Sequence, residues 1–299
     1  MSRSHHSARP RLACEIAPDR VIAARAADSG DVLELCSTTE IAPGCVLPDL
    51  TETNVRERNA VVNAVRESLT NVGGRSHDVV AILPDAAVRV VLLDFETLPS
   101  DRAEADSVVR FRLRKSLPFD VDKAMLSYHA QVAQSGIRLV AAVALNSVVK
   151  DYEGVFLDAG FSPGVVLPST LAALDAAPAS KPTLVVKVDA RTTSIAILDK
   201  EHLLLIRTLE NTRGATISGE QLAEDVYPSV VFFQDTYTTN IEEIFVAGIS
   251  DVAGAAPALR SQTGAEVKEL VKASQLGLGG GSIPKWRMAG VVGALLSSN

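Results

Sequence analysis

Short apolar runs separated by turn residues occur twice along the chain in the same order. The first half begins with the strand-like segments RLACEI, VIAARA and VLELC, and the second half carries TLVVKVD, SIAIL and LLLIRTL. Turn segments such as APDR and ARTT join them, so each set predicts a three-stranded meander. A helical pattern and one further strand, DVVAILP or EEIFVAG, follow each meander. This repetition predicts two mixed α/β lobes that face each other. The alternative is that elements common in α/β proteins occur in the same order twice by chance.

A strongly signalled helix lies between the two repeats. Ser100 is a suitable N-cap, acidic residues occupy the first turn, cations occupy the last, and Pro118 ends the pattern. The sequence therefore predicts a helix over 101–116. Apolar residues at three- and four-residue spacings predict a buried stripe on this helix, formed by Val108, Val109, Phe111 and Leu113. This helix and the strands and helix that follow it predict a small α/β subdomain over 98–167, inserted in the first lobe.

Composition is that of an ordinary soluble globular protein. The chain has 299 residues, 47% of them apolar, which is enough for two lobes. A net charge of -7 and a pI near 5.3 argue against nucleic acid or an anionic membrane surface as partner, because both rely on a basic face. Three cysteines without a repeated spacing favour a reducing cytoplasm. No apolar run is long enough to cross a bilayer, and residues 1–10 predict a disordered N-terminus.

Several motifs resemble one family across nearly the whole chain. The segment PFDVD at 118–122, followed by Tyr128, is the strongest, and PSVVFFQDTY, IEEIFVAGISDVAG and RMAGVVGALL extend the similarity. They resemble the PilM family of type IV pilus assembly proteins, which are FtsA-like members of the actin (ASKHA) superfamily. The resemblance implies an α/β, actin-like fold with duplicated ribonuclease H-like lobes and an inserted FtsA/PilM-type 1C subdomain. It divides the chain into a first lobe at 11–97 and 168–182, an insert at 98–167 and a second lobe at 183–299.

The same resemblance implies a function. PilM-like proteins are cytoplasmic scaffolds, peripheral to the inner membrane, that hold the N-terminal tail of PilN, a bitopic membrane protein. We therefore expect a PilN-like tail as the partner, a pilus ATPase complex as a further candidate, and neither nucleic acid nor direct membrane insertion. Two alternatives stay open: an ATP-binding switch or kinase of the same superfamily, and a GspL-like component of type II secretion.

Family members commonly bind ATP between the lobes, but the turns that would hold its phosphates depart from the family pattern. Actin-like turns carry Asp-x-Gly followed by small hydroxyl residues, because glycine lets backbone amides approach the phosphate. In the first turn Glu15 stands near the expected carboxylate, Pro18 removes an amide donor, and Asp19 and Arg20 complete a turn without glycine. The first phosphate turn is therefore degenerate.

The second turn and the later strand supply the candidate cofactor residues, which are Asp189, Arg191, Thr192, Thr193 and Gly248. Ala190 and Arg191 replace flexible small residues, and Ile249 stands where adenine would pack. An ordinary tight turn, whose Asp and Thr bond their own backbone, is the alternative. These departures argue against ATP, and Mg²⁺ is expected only with ATP. The cluster GLGGGSIP at 277–284 indicates a flexible connection rather than a phosphate loop.

No residue set indicates catalysis. His77, His129 and His202 lie outside any nucleophile motif, and Asp94 and Glu96 fall in a strand-to-loop stretch where solvated charge is the default. We therefore expect a scaffold and not an enzyme.

The family resemblance places the tail-binding groove between the insert and the first lobe. The predicted helix and its exit turn supply the candidate peptide-binding residues, which are Arg112, Arg114, Leu117, Pro118 and Phe119. The cations would hold acidic groups or terminal carbonyls of the peptide, and the apolar residues would line a pocket. The alternative is that the cations complement the helix dipole and the apolar residues belong to the core.

Overall fold

A computed structural model describes residues 10–133, 136–279 and 283–296 of the chain. Its strands are β1 Leu12–Ile16, β2 Arg20–Ala26, β3 Leu33–Glu40, β4 Asp78–Leu83, β5 Arg89–Phe95, β6 Ala124–Val132, β7 Ile137–Leu145, β8 Ser162–Pro168, β9 Thr183–Val188, β10 Thr192–Asp199, β11 His202–Glu210, β12 Glu243–Ala247, β13 Glu266–Glu269 and β14 Leu276–Gly279. Its α-helices are α1 Arg58–Val72, α2 Arg102–Leu113, α3 Asn146–Ala159, α4 Ser169–Leu174, α5 Gly219–Tyr237, α6 Val252–Thr263 and α7 Ala289–Leu295. Most of the N-terminal segment predicted to be disordered, and 280–282 of the glycine-rich cluster, lie outside the described residues.

The two large sheets share one strand order. The first sheet runs β14-β3-β2-β1-β4-β8 and the second runs β11-β10-β9-β12-β13. In both, the meander strands pair antiparallel and the two later strands pair parallel. Five strands of one sheet therefore correspond one by one to five strands of the other. The predicted duplication of a mixed α/β lobe is confirmed.

Helices cover the outer face of each sheet in matching places. Buried residues of α1 and α3 pack on the first sheet, and those of α5 and α6 pack on the second. The start of α5 is fixed by a capping box, in which Ser218 accepts from the Gln221 amide and the Gln221 side chain accepts from the Ser218 amide. Gly160 ends α3 in the left-handed conformation, as expected for a helix C-terminus.

The inserted unit is a three-stranded antiparallel sheet in the order β5-β7-β6, covered by α2. The predicted bounds of 98–167 are corrected at both ends. At the start, β5 pairs with β7 along its whole length and so belongs to the insert. At the end, β8 pairs with β4 and α3 buries Tyr152 and Phe156 in the first lobe. The insert therefore spans 89–145.

Helix α2 begins one residue later and ends three residues earlier than predicted. Its N-cap is Asp101, whose side chain accepts from the Glu104 amide at 3.0 Å, and not Ser100. The buried stripe is also narrower than predicted, because Val109 and Leu113 are buried with Ala105 at four-residue spacing. Val108 and Phe111 lie on the opposite side and are 39% and 73% exposed.

A continuous core joins the two lobes. Helices α4 and α7 contribute to one buried cluster that includes Ile82 of the first sheet and Val185 of the second. The predicted second lobe of 183–299 is corrected accordingly, since β14 pairs with β3 and α7 packs against β1, β2 and α4 of the first lobe. No described helix is both long and apolar enough to cross a membrane.

The contact between α4 and α7 depends on a glycine. A Cβ built on Gly293 would lie 2.0 Å from the carbonyl oxygen of Ala172. We expect Gly293→Ala to push the two helices apart and to cost about 1–3 kcal/mol of unfolding free energy. The matched control is Gly164→Ala, because Gly164 has nothing within 4 Å of such a Cβ. Urea unfolding of both variants measures the difference, and equal midpoints would contradict this account of the helix contact.

Candidate functional site

Strand register shows which positions of the two lobes correspond in the cleft between them. The first hairpin turn closes with the Ala17 amide donating to the Arg20 carbonyl at 2.8 Å, and the second with the Asp189 amide donating to the Thr192 carbonyl at 2.7 Å. Ala17 therefore corresponds to Asp189. Two residues earlier, Glu15 on β1 corresponds to Lys187 on β9. A lysine thus occupies, in the second lobe, the position that Glu15 holds in the first.

These two corresponding side chains meet across the cleft. The Lys187 Nζ lies 3.8 Å from Glu15 Oε1 and donates a short hydrogen bond to Asp189 Oδ2. Ser169, at the start of α4, donates to the same Glu15 oxygen. Gly290 of α7 makes room for this carboxylate, because a Cβ there would lie 2.5 Å from Glu15 Oε2. The lysine ammonium therefore occupies the space among the carboxylates.

A second buried link joins the lobes beside the first. Asp85, which follows β4, accepts from the amide of Thr170 at 2.8 Å and from its hydroxyl at 2.5 Å. Ser194 of β10, in the other lobe, donates to Asp85 Oδ2 at 3.2 Å. Asp85, Ser194 and Thr170 are all buried. The central strands of both lobes are thus tied together by polar groups that satisfy one another.

Burial and neighbouring charges have opposite effects on the pKa values of this cluster. Burial raises the pKa of the Glu15 and Asp85 carboxyls above their usual range, and Lys187 lowers both in part. Burial alone would lower the pKa of Lys187, but Asp189, Glu15 and Asp85 outweigh it and raise that pKa. The lysine therefore stays charged. In the described part of the chain, no group of three or more His, Cys, Asp or Glu residues is arranged to hold a metal ion.

Asp189, Arg191 and Thr192 line a small cavity between the lobes and Gly248 lines the neighbouring pocket with Asp189, but several of the predicted cofactor residues are engaged in packing. Thr192 and Thr193 are buried in β10, and Asp189 is paired with Lys187. Gly248 has a φ of +88°, and a Cβ there would lie 1.7 Å from the carbonyl oxygen of Val188. Its glycine is therefore required by backbone packing against β9. Ile249 is buried in the second lobe.

The predictions from the sequence missed Lys187, the central residue of the cleft. It was one polar residue in an otherwise apolar strand, TLVVKVD. The signal was its place in the duplicated pattern, since it stands two residues before the second turn as Glu15 stands two residues before the first. Of the other candidates, Asp94 is paired with Arg138 at 2.6 Å.

A separate groove lies between the insert and the first lobe. Its volume is about 560 Å³, and its floor includes two cross-strand pairs of the small sheet, Met125 with Ala144 and Ser127 with Ala142. Val149 of α3 and 166–168 of β8 also line it. Both β6 and β8 are edge strands of their sheets as far as the structure describes them. The groove is therefore mostly apolar and has open strand edges beside it.

None of the five predicted peptide-binding residues lines this groove. Leu117 and Phe119 pack against the core of the small sheet, and Pro118 lines a different groove, between the insert and the second lobe. Arg112 is exposed on α2, and Arg114 pairs with Asp122 at 3.1 Å. Arg110 reaches the groove instead, although its guanidinium also donates to the carbonyls of Val121 and Ala124. The small-sheet face, rather than the exit turn of α2, forms the groove.

The buried ion pair generates a test of the cleft. We expect Lys187→Met to lower the unfolding free energy by about 3–5 kcal/mol at neutral pH, because it leaves buried carboxylates without their cation. The pKa values of Glu15 and Asp85 then rise further above their unfolded values. The variant keeps its stability below the unfolded carboxyl pKa of about 4 and loses it as pH rises, so the deficit relative to the parent grows between about pH 4 and neutral pH.

Thermal melts across that pH range measure this effect. Lys150→Met, at an exposed lysine of α3, is the matched control and should stay within about 0.5 kcal/mol of the parent. The double variant Glu15→Gln with Lys187→Met should recover part of the loss, since it removes one buried charge. Equal stability of the two lysine variants at every pH would show that the pair has no structural role.

Comparisons with known proteins agree with this architecture. No family model matches the chain, and no curated protein matches its sequence. Among solved structures, the PilM-PilN type IV pilus biogenesis complex matches with a TM-score of 0.78 and 18% identity, covering 96% of this chain and 98% of that one. The cytoplasmic domain of EpsL, an inner membrane component of the type II secretion system of Vibrio cholerae, has a TM-score of 0.53 and 10% identity, covering 96% and 95%. A Bacteroides thetaiotaomicron protein with an actin-like ATPase fold has a TM-score of 0.55 and 11% identity, with the same coverage. The chain therefore has an actin-like fold of the kind found in PilM.

Proposed function

We propose that this protein is a scaffold that binds an extended peptide, the N-terminal tail of a PilN-like bitopic inner-membrane protein. The observation that carries the proposal is the apolar groove of about 560 Å³ between the inserted sheet and β8. A peptide gains affinity in such a groove from buried apolar side chains and from main-chain hydrogen bonds to open strand edges. The groove offers both along 124–127 and 166–168.

Small side chains give the groove its shape. Ala142 and Ala144 leave space above β7, while Met125 adds apolar surface from β6. The charged residues at the groove, Arg110 and Asp122, already have partners within the insert. Apolar contact and backbone pairing therefore provide most of the binding free energy, and charge has a secondary role at the rim.

The likeness to a solved PilM-PilN complex over nearly both whole chains supports this partner class. In this function the protein lies in the cytoplasm, peripheral to the inner membrane, and the bound tail supplies its attachment. A pilus ATPase complex is a further partner of the same assembly. The structural likeness to EpsL supports a second candidate, a GspL-like role in type II secretion. The two differ in the tail that is bound, so binding of one tail in preference to the other distinguishes them.

The scaffold function includes a cleft that no longer works with Mg-ATP. Lys187 places an ammonium among Glu15, Asp85 and Asp189, where it offsets part of their negative charge from within the protein. A switch or kinase would instead need free carboxylates to organise Mg²⁺ and its waters. The internal ion pair therefore favours the scaffold over the nucleotide-dependent rival, and over an enzyme.

The groove is tested by a pair of substitutions on one strand. Met125 lines the groove and is 45% exposed, whereas Val132, at the other end of β6, is 81% exposed and does not line it. We expect Met125→Arg to weaken binding of a synthetic PilN-like tail peptide at least tenfold, or about 1.4 kcal/mol, because it puts a charge in an apolar site. Val132→Arg makes the same change of residue type and should bind as the parent does.

Fluorescence anisotropy with the labelled peptide measures both affinities, and circular dichroism checks that both variants are folded. Phe119→Ala serves as a further comparison, since Phe119 packs in the insert and should affect its stability more than tail binding. Parent-like binding by folded Met125→Arg protein would place the peptide elsewhere.

The cleft is tested by isothermal titration with Mg-ATP. We expect no micromolar binding, because the cation position is taken by Lys187 and the turns lack glycine. Asp189→Ala should leave this result unchanged. Micromolar binding that Asp189→Ala abolishes would overturn the proposal of a degenerate cleft and favour the switch or kinase.

A further inference from the structure

A groove of about 990 Å³ lies between the insert and the second lobe, apart from the tail-binding groove. Residues 88–92 of the insert line one wall, and β11 lines the other over 204–210. Both β5 and β11 are edge strands in the part of the chain that the structure describes. We call this space the β5–β11 groove. The edges of two different sheets therefore border one groove.

The register of β11 shows which of its backbone groups point into the groove. The Asn211 amide donates to the Arg191 carbonyl at 2.7 Å, and these two residues continue the β10–β11 register. Hydrogen-bonded pairs alternate with pairs that are not bonded along antiparallel strands. Residues 205, 207 and 209 are thus bonded to β10, and 206 and 208 are not. The amides and carbonyls of Ile206 and Thr208 therefore point away from β10, towards the groove.

At one end of β11, side chains already occupy this outward edge. Gln131 of β6 accepts from the Leu203 amide at 3.1 Å and donates to the Leu203 carbonyl at 2.6 Å. The Tyr237 hydroxyl donates to the Leu204 carbonyl at 3.4 Å. Gln131 thus makes the two bonds that a neighbouring strand would make. No described residue does the same for the outward groups at 206–208.

The charged residues that line the groove differ in how far they are engaged. They are four arginines and four carboxylates: Arg89, Arg138, Arg191, Arg207, Asp49, Asp85, Asp94 and Glu210. Asp94 pairs with Arg138 at 2.6 Å, and Asp85 belongs to the buried cluster of the cleft. Hydrogen bonds from its own loop, and after them the charge of Arg191, lower the pKa of Asp49. Three of the four carboxylates therefore have partners within the protein.

Two of the arginines are left without an acidic partner. Arg89 and Arg207 make no ion pair with any described residue, and Glu210 is the one lining carboxylate in the same condition. The Arg207 guanidinium lies 5.3 Å from the centre of the Phe232 ring and donates to the Ser229 hydroxyl at 3.5 Å. These contacts hold it in place beside an aromatic ring that is 47% exposed. The groove therefore offers a positioned cation to an acidic side chain.

We propose that the β5–β11 groove binds an extended acidic segment of a second partner protein, as a strand added along β11. The main chain of the segment bonds to the outward groups of Ile206 and Thr208, which provides affinity without regard to sequence. Acidic side chains pair with Arg207 and Arg89, which provides the selectivity. The insert then has a peptide groove at each edge of its small sheet, so one scaffold joins two partners. The inference does not depend on the tail-binding groove.

A labelled peptide of about seven residues, which spans about 23 Å as a strand, serves as the probe. It has glutamate at every second position and valine or threonine between, and the same peptide with lysine for glutamate is its control. Fluorescence anisotropy at physiological salt measures binding. We expect saturable binding of the acidic peptide with a Kd of about 100 μM or lower, and no saturable binding of the lysine peptide. An excess of the PilN-like tail peptide should not displace the probe.

Two pairs of variants test the backbone edge and the cation separately. Thr208→Pro removes an outward amide that makes no bond to β10, and Thr208→Val loses the same hydroxyl but keeps that amide. We expect the proline variant to bind the probe about fivefold more weakly than the valine variant. Arg207→Gln should weaken binding about tenfold, as loss of one charge-assisted contact does. Arg112→Gln, which removes the same charge from an exposed site on α2, should bind as the parent does.

Circular dichroism checks that each variant is folded, and if Thr208→Pro unfolds, the comparison of Arg207→Gln with Arg112→Gln decides. Absence of saturable binding, equal binding of the lysine peptide, or equal affinity of those two glutamine variants overturns the proposal. A dimer in sedimentation that Thr208→Pro dissociates also overturns it, by identifying a second copy of this chain as the occupant. Displacement by the tail peptide overturns it too, by placing both peptides in one site. The Met125→Arg result for the tail peptide is read independently of all these outcomes.

Discussion

The ion pair between Lys187 and Glu15 is the constraint on which the arrangement of the lobes depends. Each residue comes from the central strand of its sheet, and each stands at the same register position relative to its hairpin turn. A charge buried at such a place is costly unless an opposite charge meets it. The two sheets must therefore come together with β1 facing β9. The hydrogen bond from Ser194 to Asp85 joins the two lobes at a neighbouring point of the cleft.

The core between the lobes follows from this contact. With the central strands held close, α4 and α7 are enclosed between the sheets, and only glycine and alanine allow their backbones to approach as they do. Protein interiors are packed to crystal-like density, so a change at either helix is transmitted to the polar cluster beside it. The molecule thus separates two regions. The cleft side is held by buried polar contacts between the lobes, whereas the groove beside the insert has exposed apolar surface and open strand edges.

Much of the fold was readable from the sequence because it rests on period-2 patterns and on their repetition. The meanders and the strands that follow them were predicted in the correct order. The bounds of the insert were not, because an apolar run such as RVVLLDF fits the edge of either sheet and only tertiary pairing assigns it. The stripe on α2 was too broad for a similar reason: Phe111 has the spacing of a core residue but faces away from the small sheet. In the site, the absence of glycine from both turns was visible in the sequence. The role of Lys187 could not be predicted without the register of two distant strands. The groove could not be predicted because three elements that are far apart in sequence form it.

Strand β14 and helix α7 complete the first lobe, although they come from the end of the described chain. The sheet that begins at residue 12 receives its last strand at 276–279, and its inner face is covered by a helix that ends at 295. On a ribosome, the N-terminal half of the protein therefore emerges long before the segment that finishes it. The contacts of that half with β14 and α7 form last during synthesis, because long-range contacts must wait for both partners. A chain stopped before residue 276 lacks β14 and α7, so its first lobe lacks one edge strand and the helix on its inner face.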